Sequence, residues 1–161
     1  MVWELSTGKP LHAIYGSGAF SGVGWRNVVA MPSGRHLLCG TMDNALQLWH
    51  LGTGELTHTY VGHAATIFGL AVAPDGNLVV SASGDTTLKV WEPWSHRAAG
   101  ARDGHDRIED LALTPDGLFA VSDADGSHDL HLWDLSTGQV VRTLEGTRKE
   151  LVKCVAVTPD G

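Results

Sequence analysis

Three side chains in the middle of the chain have the chemistry of a hydrolase active site. His63, Ser81 and Asp85 could act as general base, nucleophile and orienting acid, since a serine hydroxyl attacks an acyl carbon once a histidine accepts its proton. A second set with the same residue types begins 42 residues later, in the same order: His105, Ser122 and Asp125. A catalytic triad has no need to recur, so the repetition favours a structural role over catalysis.

A second cluster, made of His128, Asp129 and His131, has the residue types of a metal site. On a strand, however, residues three apart face opposite sides of the sheet. The two histidines would bind one ion only if this segment were a loop, so we predict no metal site. No glycine-rich phosphate loop follows a strand and opens a helix, and we therefore predict neither a nucleotide nor another cofactor.

All these residues belong to a unit that repeats along the chain. Trp3, Trp49, Trp91 and Trp133 are separated by 46, 42 and 42 residues, and a glycine follows each of them 13 residues later. A Pro-Ser-Gly or Pro-Asp-Gly turn follows each tryptophan, at Pro32, Pro74, Pro115 and Pro159. Short runs rich in Val and Leu lie between turn residues, which is typical of strands joined by hairpins. A unit of about forty residues with four short strands is the size of one propeller blade.

The segment "GHAATIFGLAVAPDGNLVVSASGDTTLKVWEP", residues 62–93, resembles a WD40 repeat. The segment "GHDRIEDLALTPDGLFAVSDADGSHDLHLWDL", residues 104–135, repeats the pattern, and "WDLSTGQVVRTLEG", residues 133–146, is similar to the regular repeats of bacterial WD40 arrays. The resemblance implies a structural hydrogen-bonded network of His, Ser, Asp and Trp in each blade. The implied members are His63, Ser81, Asp85 and Trp91 in one unit, and His105, Ser122, Asp125 and Trp133 in the next, with Asp129 open as the acid.

The first unit departs from this pattern. Ser17 stands where the family has its histidine, and Cys39 stands at the serine position, although Asp43 and Trp49 remain. The resemblance therefore implies that the hydrogen-bonded network of this blade is incomplete.

The expected fold is all-β, with three complete four-stranded WD40-type β-propeller blades and partial blades at both ends. The units are expected at about 17–62, 63–104 and 105–146, between partial units at 1–16 and 147–161. The last of these should begin with a strand over residues 151–158. Because propellers close a ring of roughly four to eight blades, we expect either a segment of a larger propeller protein or self-association that completes the ring.

The formal net charge is −7, and the Lys and Arg residues are scattered singly. Phosphate backbones and anionic membrane surfaces both require clustered cations, so we expect neither nucleic-acid nor membrane binding. The first residues lack the pattern of a signal peptide, and no apolar run approaches a membrane span, which favours the cytoplasm. Cys39 and Cys154 lie in apolar runs and are expected to be reduced core residues.

Loops that depart from the repeat are the candidates for partner binding. The loop "GSGAFSGVGW", residues 16–25, contains Phe20 and Trp25, although Trp25 could instead begin a buried strand. Trp94 replaces a turn residue, and its alternative role is to cover the outer strand "RAAGAR" of its own blade. Arg26 and Arg107 complete the candidate set.

The predicted function is a non-catalytic protein–protein interaction platform, whose partner is a protein, a peptide or a domain of the same polypeptide. The alternatives are a regulatory array that controls an attached NTPase, kinase or protease domain and, less favoured, a hydrolase that uses the Ser-His-Asp sets.

Overall fold

The computed structural model describes residues 1–13, 25–95, 97–103, 107–123, 128–146 and 152–161. Every helix or strand within these ranges is a β-strand. The chain begins with a two-stranded hairpin of β1 (Val2–Glu4) and β2 (Lys9–His12). The first four-stranded sheet contains β3 (Trp25–Ala30), β4 (His36–Thr41), β5 (Ala45–His50) and β6 (Leu56–Val61).

Two further sheets repeat this arrangement. The second sheet contains β7 (Ile67–Val72), β8 (Val79–Ser83), β9 (Thr87–Glu92) and β10 (Arg97–Asp103). The third contains β11 (Leu111–Leu113), β12 (Phe119–Asp123), β13 (Leu130–Asp134) and β14 (Val140–Leu144). In all three sheets each strand pairs antiparallel with the next strand in the sequence. The prediction of an all-β fold with three four-stranded units is confirmed.

The Pro-Ser-Gly and Pro-Asp-Gly turns join the first and second strands of each sheet. Their glycines, Gly34, Gly76 and Gly117, have φ angles of 66°, 73° and 69°, a left-handed conformation that glycine adopts without steric cost. The aspartate of the second turn holds its loop closed, because the Asp75 carboxylate accepts a hydrogen bond of 2.9 Å from the backbone N–H of Asn77. The residues of each turn therefore determine where the chain reverses direction between the first and second strands.

The hydrophobic core lies between consecutive sheets. One cluster joins residues of the first and second sheets, and it includes Leu46, Ile67 and Val79. The next cluster joins the second and third sheets, and it includes Val80 and Leu111. Val79 and Val80 are neighbours on β8 and point to opposite faces, so both faces of the second sheet are covered. This explains why all five residues of β8 are buried.

The first strands of the three sheets lie next to one another. The Asn27 side chain on β3 donates a hydrogen bond of 3.3 Å to the carbonyl oxygen of Ile67 on β7. Gly69 on β7 approaches β11 so closely that a Cβ atom there would lie 3.2 Å from the backbone nitrogen of Leu111. Sheets that pack face to face with their first strands adjacent have the arrangement of consecutive propeller blades.

The C-terminal segment differs from its prediction. Residues 152–158 form no strand, and Val155 donates its backbone N–H to the Asp110 carboxylate at 2.8 Å. A strand requires a continuous backbone partner, and the described part of the chain supplies only this side-chain acceptor. The expectation of two core cysteines is correct only for Cys39, because Cys154 in this segment is exposed.

Candidate functional site

The second sheet brings His63, Ser81, Asp85 and Trp91 into one hydrogen-bonded chain. The indole N–H of Trp91 on β9 donates to the Ser81 hydroxyl on β8 at 2.8 Å. That hydroxyl lies 2.7 Å from Nε2 of His63, and Nδ1 of the same ring lies 2.8 Å from the Asp85 carboxylate. The Asp85 carboxylate also accepts hydrogen bonds from the backbone N–H and the hydroxyl of Thr87, at 3.0 and 2.7 Å.

The protonation states follow from burial and hydrogen bonding. Burial lowers the pKa of His63, and the hydrogen bond and charge of Asp85 offset this effect only in part. Burial raises the pKa of Asp85, but the hydrogen bonds from Thr87, Ala64 and His63 outweigh it and hold the pKa at about 2. A neutral imidazole that donates from Nδ1 to an ionised Asp85 must accept at Nε2, so the Ser81 hydroxyl donates its proton there.

This geometry has the connectivity of a catalytic triad, but Ser81 lacks the access that a nucleophile needs. Ser81 has a relative exposure of 0%. Its oxygen accepts from the Trp91 indole while its proton points at His63, so both hydrogen-bonding directions are occupied within the protein. Each polar group of this four-residue hydrogen-bonded network thereby has a partner, which offsets the cost of burying it. The arrangement joins two strands to the loop before β7 and to the turn after β8.

Part of the corresponding set in the third sheet is visible. The Trp133 indole donates to the Ser122 hydroxyl at 2.9 Å. His105 and Asp125 lie outside the described residues. Asp129, the alternative acid, accepts a hydrogen bond of 3.0 Å from the backbone N–H of Gly146.

A buried carboxylate that the sequence analysis missed lies beside Ser122. Asp123 is 2% exposed, and its carboxylate accepts the backbone N–H groups of Glu109 and Asp110, both at 2.9 Å. Burial raises the pKa of Asp123, although these two hydrogen bonds oppose the shift. The available sequence signal was an acidic residue directly after the serine that ends the apolar run of β12.

In the first sheet the indole N–H of the corresponding tryptophan, Trp49, has a different hydrogen-bond acceptor. Cys39, at the serine position, is fully buried, and burial raises the pKa of its thiol to about 12. The Trp49 indole instead donates to the Gln47 side-chain oxygen at 3.3 Å. Asp43 accepts a hydrogen bond from the Thr41 hydroxyl. Gln47 was not singled out from the sequence, because a glutamine on a strand usually faces solvent.

His128, Asp129 and His131, which have the residue types of a metal site, all lie within the described residues. Among the residues that the structure describes, no group of three or more His, Cys, Asp or Glu side chains is placed to hold an ion. The His131 ring packs edge-on against Trp133, with 6.0 Å between centroids. Within the same described ranges, no helix is long and apolar enough to cross a membrane.

Two predicted partner-binding residues meet around a phenyl ring that sequence reasoning missed. The guanidinium carbons of Arg26 and Arg107 lie 5.2 and 4.0 Å from the centroid of the Phe68 ring. Arg26 lies on β3 of the first sheet, Phe68 on β7 of the second sheet, and Arg107 in the segment before β11 of the third sheet. We call these three residues the arginine–phenyl cluster. Arg107 also forms an ion pair of 2.9 Å with Glu109. The cluster lies at the end of the sheets that carries the His63 loop and the turn after β8, which we call the His63 rim.

The predicted aromatic anchors have different positions. Phe20 lies outside the described residues. Trp25 begins β3 and packs, partly buried, against Trp49 at 5.9 Å between ring centroids, which agrees with the second of its two predicted roles, the start of a strand. Trp94 is 48% exposed at the opposite rim, which carries the Pro-Asp-Gly turns. Its indole N–H donates to the carbonyl oxygen of Gly76 at 3.0 Å, and its ring contacts His36 of the first sheet, so it bridges two sheets.

Comparison with known proteins gives a consistent result. The profile of the family described as "WD domain, G-beta repeat" matches residues 54–92. A periodic tryptophan protein 2 homolog of Neurospora crassa is 32% identical over 120 residues, which are 73% of this chain and 13% of that protein. A nuclear distribution protein nudF of Emericella nidulans is 28% identical over 183 residues, covering 98% of this chain and 40% of that protein.

An uncharacterised WD repeat-containing protein of Synechocystis is 32% identical over 160 residues, which are 97% of this chain and 44% of that protein. The chain thus spans less than half the length of these three relatives. The matches extend across the same repeated sheets that carry the Trp91 and Trp133 hydrogen bonds. By its repeats, its four-stranded sheets and its relatives, this chain belongs to the WD40 repeat family.

Proposed function

We propose that this chain is a non-catalytic protein-interaction platform that binds a protein, a peptide or a domain of the same polypeptide. The placement of Ser81 carries the proposal. Its hydroxyl has the reactivity of a nucleophile, yet it is fully buried and hydrogen-bonded on both sides by Trp91 and His63. The network therefore braces the second sheet, and the rims of the sheets are left to make contacts. WD-repeat proteins generally serve as non-enzymatic interaction scaffolds, which supports this function.

The proposed contact surface is the His63 rim. Arginine and aromatic side chains are the commonest anchors of protein interfaces, and the arginine–phenyl cluster provides both types. Its members come from β3, from β7 and from the segment before β11, so a partner seated on Phe68 contacts all of them at once. The opposite rim, with the half-exposed Trp94, is the second candidate surface.

The repeat boundaries near residues 17–62, 63–104 and 105–146 remain part of the proposal. Each range contains the four strands of one sheet, and residues 1–16 contain the β1–β2 hairpin. Cytoplasmic location is proposed because both cysteines are free thiols. The net charge of −7 supports a protein partner over nucleic acid.

Selection from a random dodecapeptide library on the immobilised chain tests this function, followed by hydrogen exchange of the chain with and without the selected peptides. We expect binding peptides that protect the starts of β3, β7 and β11. If the selection enriches no peptide, the proposed interaction function is contradicted. If the peptides protect only the backbone amides around Trp94, the binding site lies at the opposite rim. A fluorophosphonate probe tests the hydrolase alternative, since covalent labelling of Ser81 requires an accessible hydroxyl.

A further inference from the structure

We propose that a groove at the opposite rim binds a basic segment of a protein partner, in which Lys or Arg side chains lie next to apolar ones. This inference rests on the proposed function and gives the second candidate surface a partner chemistry of its own. The carrying observation is that the groove, which lies between the second and third sheets, combines carboxylates with exposed apolar side chains.

The groove consists of two cavities that share one leucine. The first, of about 270 Å³, lies between the Pro-Asp-Gly turns of the two sheets and is lined by Asp75, Asp116 and Leu118 among others. The second, of about 260 Å³, lies beside Trp94. Leu78 lines both, and we call the whole surface the Leu78 groove. Each cavity is smaller than the roughly 300–1,000 Å³ of a typical small-molecule pocket, which favours successive side chains of an extended segment as the occupant.

The lining of the Leu78 groove is negatively charged. Asp75, Asp116 and Glu92 supply three carboxylates, and among the described residues no Lys, Arg or His side chain lines either cavity. Arg97 is the backbone partner of Glu92 in the second sheet, so we count its charge against that residue. The charges of Asp75 and Asp116 then remain. Arg35, an exposed cation of the same rim, lines a different cavity beside the β1–β2 hairpin.

Both aspartates close their turns and keep their negative charges. The Thr114 hydroxyl and the backbone N–H of Leu118 donate to Oδ1 of Asp116, and these hydrogen bonds lower the pKa of its carboxyl. Asp75 accepts the backbone and side-chain N–H groups of Asn77, at 2.9 and 3.0 Å. A carboxylate has about four acceptor sites, and both side chains are exposed, so each can also accept from a ligand.

Apolar side chains border these carboxylates. Leu118 is 59% and Trp94 is 48% exposed. The Trp94 ring is held in place by its hydrogen bond to Gly76 and its contact with His36, so little side-chain freedom is lost when a partner covers it. Burial lowers the pKa of His36, so this imidazole is neutral near pH 7 and does not offset the carboxylates.

The first sheet lacks this combination. The turn position of Asp75 and Asp116 is Ser33 there, and the position of Leu118 is Arg35. The acidic and apolar lining therefore belongs to the second and third sheets and does not follow from the repeat alone.

This lining determines which partner fits. Nucleic acids and anionic lipids carry phosphate groups, which a negatively charged groove repels. A lysine or arginine of a peptide can pair with the carboxylates while its apolar neighbours cover Leu118 and Trp94. An extended basic segment of a protein therefore fits the Leu78 groove in charge, in polarity and in size.

The test selects two matched dodecapeptide libraries on the immobilised chain. One library contains Lys and Arg together with apolar residues, Gly and Ser, and the other has Asp and Glu in place of Lys and Arg. We expect enrichment from the basic library only. The selected peptides should slow hydrogen exchange of the backbone amides within residues 75–78 and 116–118, which form the two turns of the groove.

Fluorescence anisotropy then compares charge variants of the chain. The double variant Asp75→Asn/Asp116→Asn removes both charges, while asparagine keeps an oxygen that can close each turn. Affinity for the selected peptides should fall about tenfold. The matched control Glu4→Gln/Glu55→Gln removes two charges from exposed residues outside the groove and should change affinity less than about twofold. Circular dichroism melting verifies that each variant is folded.

Three outcomes would overturn the inference. The basic library may enrich no peptide, in which case the random library of the preceding experiment still decides the platform separately. The selected peptides may protect only the His63 rim. The double variant and its control may weaken binding equally, because the attraction is then to the net charge of the chain.

A second pair of variants keeps the test decisive if the aspartate variants unfold. Leu118→Ser leaves both turn aspartates in place and should weaken binding about threefold or more, since it removes apolar surface that the peptide covers. Leu5→Ser changes a still more exposed leucine in the β1–β2 hairpin and should leave the affinity unchanged. Equal effects of these two substitutions would also overturn the inference.

Discussion

Replacement of Ser81 by alanine gives the sharpest test of the role assigned to the hydrogen-bonded chain. The substitution removes the oxygen that accepts the Trp91 indole N–H and the proton that reaches Nε2 of His63. Both partners are buried, since Trp91 is 3% and His63 is 7% exposed. Neither group can recover a hydrogen bond from bulk water without opening the sheet.

The expected loss of stability follows from these two unsatisfied groups. A buried polar group left without its partner costs about 1–3 kcal/mol, so the two together cost about 2–6 kcal/mol. A domain of this size is stabilised by roughly 5–15 kcal/mol, so the change is a large share of the total. The melting temperature should fall by about 10 °C, at roughly 2–4 °C for each kcal/mol.

The measurement is urea unfolding monitored by tryptophan fluorescence, with the slope of the transition compared between variants. Ser136→Ala is the matched control, because it deletes the same hydroxyl from an exposed turn, where it donates to Asp134 at 2.6 Å. We expect the control to change the free energy of unfolding by less than about 0.5 kcal/mol. A double-mutant cycle of Ser81→Ala with Trp91→Phe should show positive coupling, since removing the donor relieves part of the loss.

Two outcomes would refute this reasoning. If Ser81→Ala costs no more than Ser136→Ala, the buried hydroxyl does not brace the sheet. If Ser81→Ala unfolds like wild type but abolishes a hydrolytic activity, the His63–Ser81–Asp85 set is catalytic.

Three further predictions concern backbone strain, sheet contact and pH. Thr86 has a φ of 70°, where a β-branched residue is strained, and the corresponding turn of the first sheet has Asn44 there with a φ of 67°. Thr86→Asn should therefore raise the free energy of unfolding in urea by about 1 kcal/mol. Gly69→Ala should lower the free energy of unfolding by about 1–3 kcal/mol, because the new Cβ atom would lie 3.2 Å from the backbone of β11. In the control Gly52→Ala the new Cβ atom meets only the His50 side chain, so this substitution should cost less. Burial lowers the folded-state pKa of His63, so on acidification the unfolded chain binds this proton before the folded chain does, and the free energy of unfolding should fall as the pH drops below about 6.5. When the free energy of unfolding is measured from pH 8 to pH 5, His63→Gln should lack this part of the pH dependence. The same pH dependence in both proteins would contradict the assignment.

Much of the fold could be predicted because its determinants are local. The turn glycines require a left-handed backbone, and Gly76 has it. Alternation of side chains along each strand, with Trp91 at the end of β9, sets which face is buried. Recurrence at 42 residues then identifies one supersecondary unit used repeatedly, since a single blade cannot bury its own faces. The resemblance of this unit to a WD40 repeat then implied which residues of the second sheet form the hydrogen-bonded network.

Other parts of the site depended on contacts between sheets. Sequence spacing does not show that Arg26 and Arg107 meet at Phe68, because this depends on how three sheets pack at their first strands. It also did not show that Gln47 would replace a serine as the indole acceptor, which depends on a side-chain rotamer inside a packed face.

The sequence by itself determined the repeat, the strands and the turns, because these follow from backbone preferences and spacing within one unit. The members of the Ser81 network were implied by the resemblance of that unit to a WD40 repeat. The tertiary structure decided which polar groups are buried and which residues of different sheets form a surface. The opposite fates of Trp25, which packs on Trp49, and Trp94, which is half exposed, illustrate this difference. Burial is a property of the neighbours that pack around a side chain, and these neighbours come both from other strands of the same sheet, as for Trp25, and from the adjacent sheet, as where Ile67 joins the cluster of Leu46.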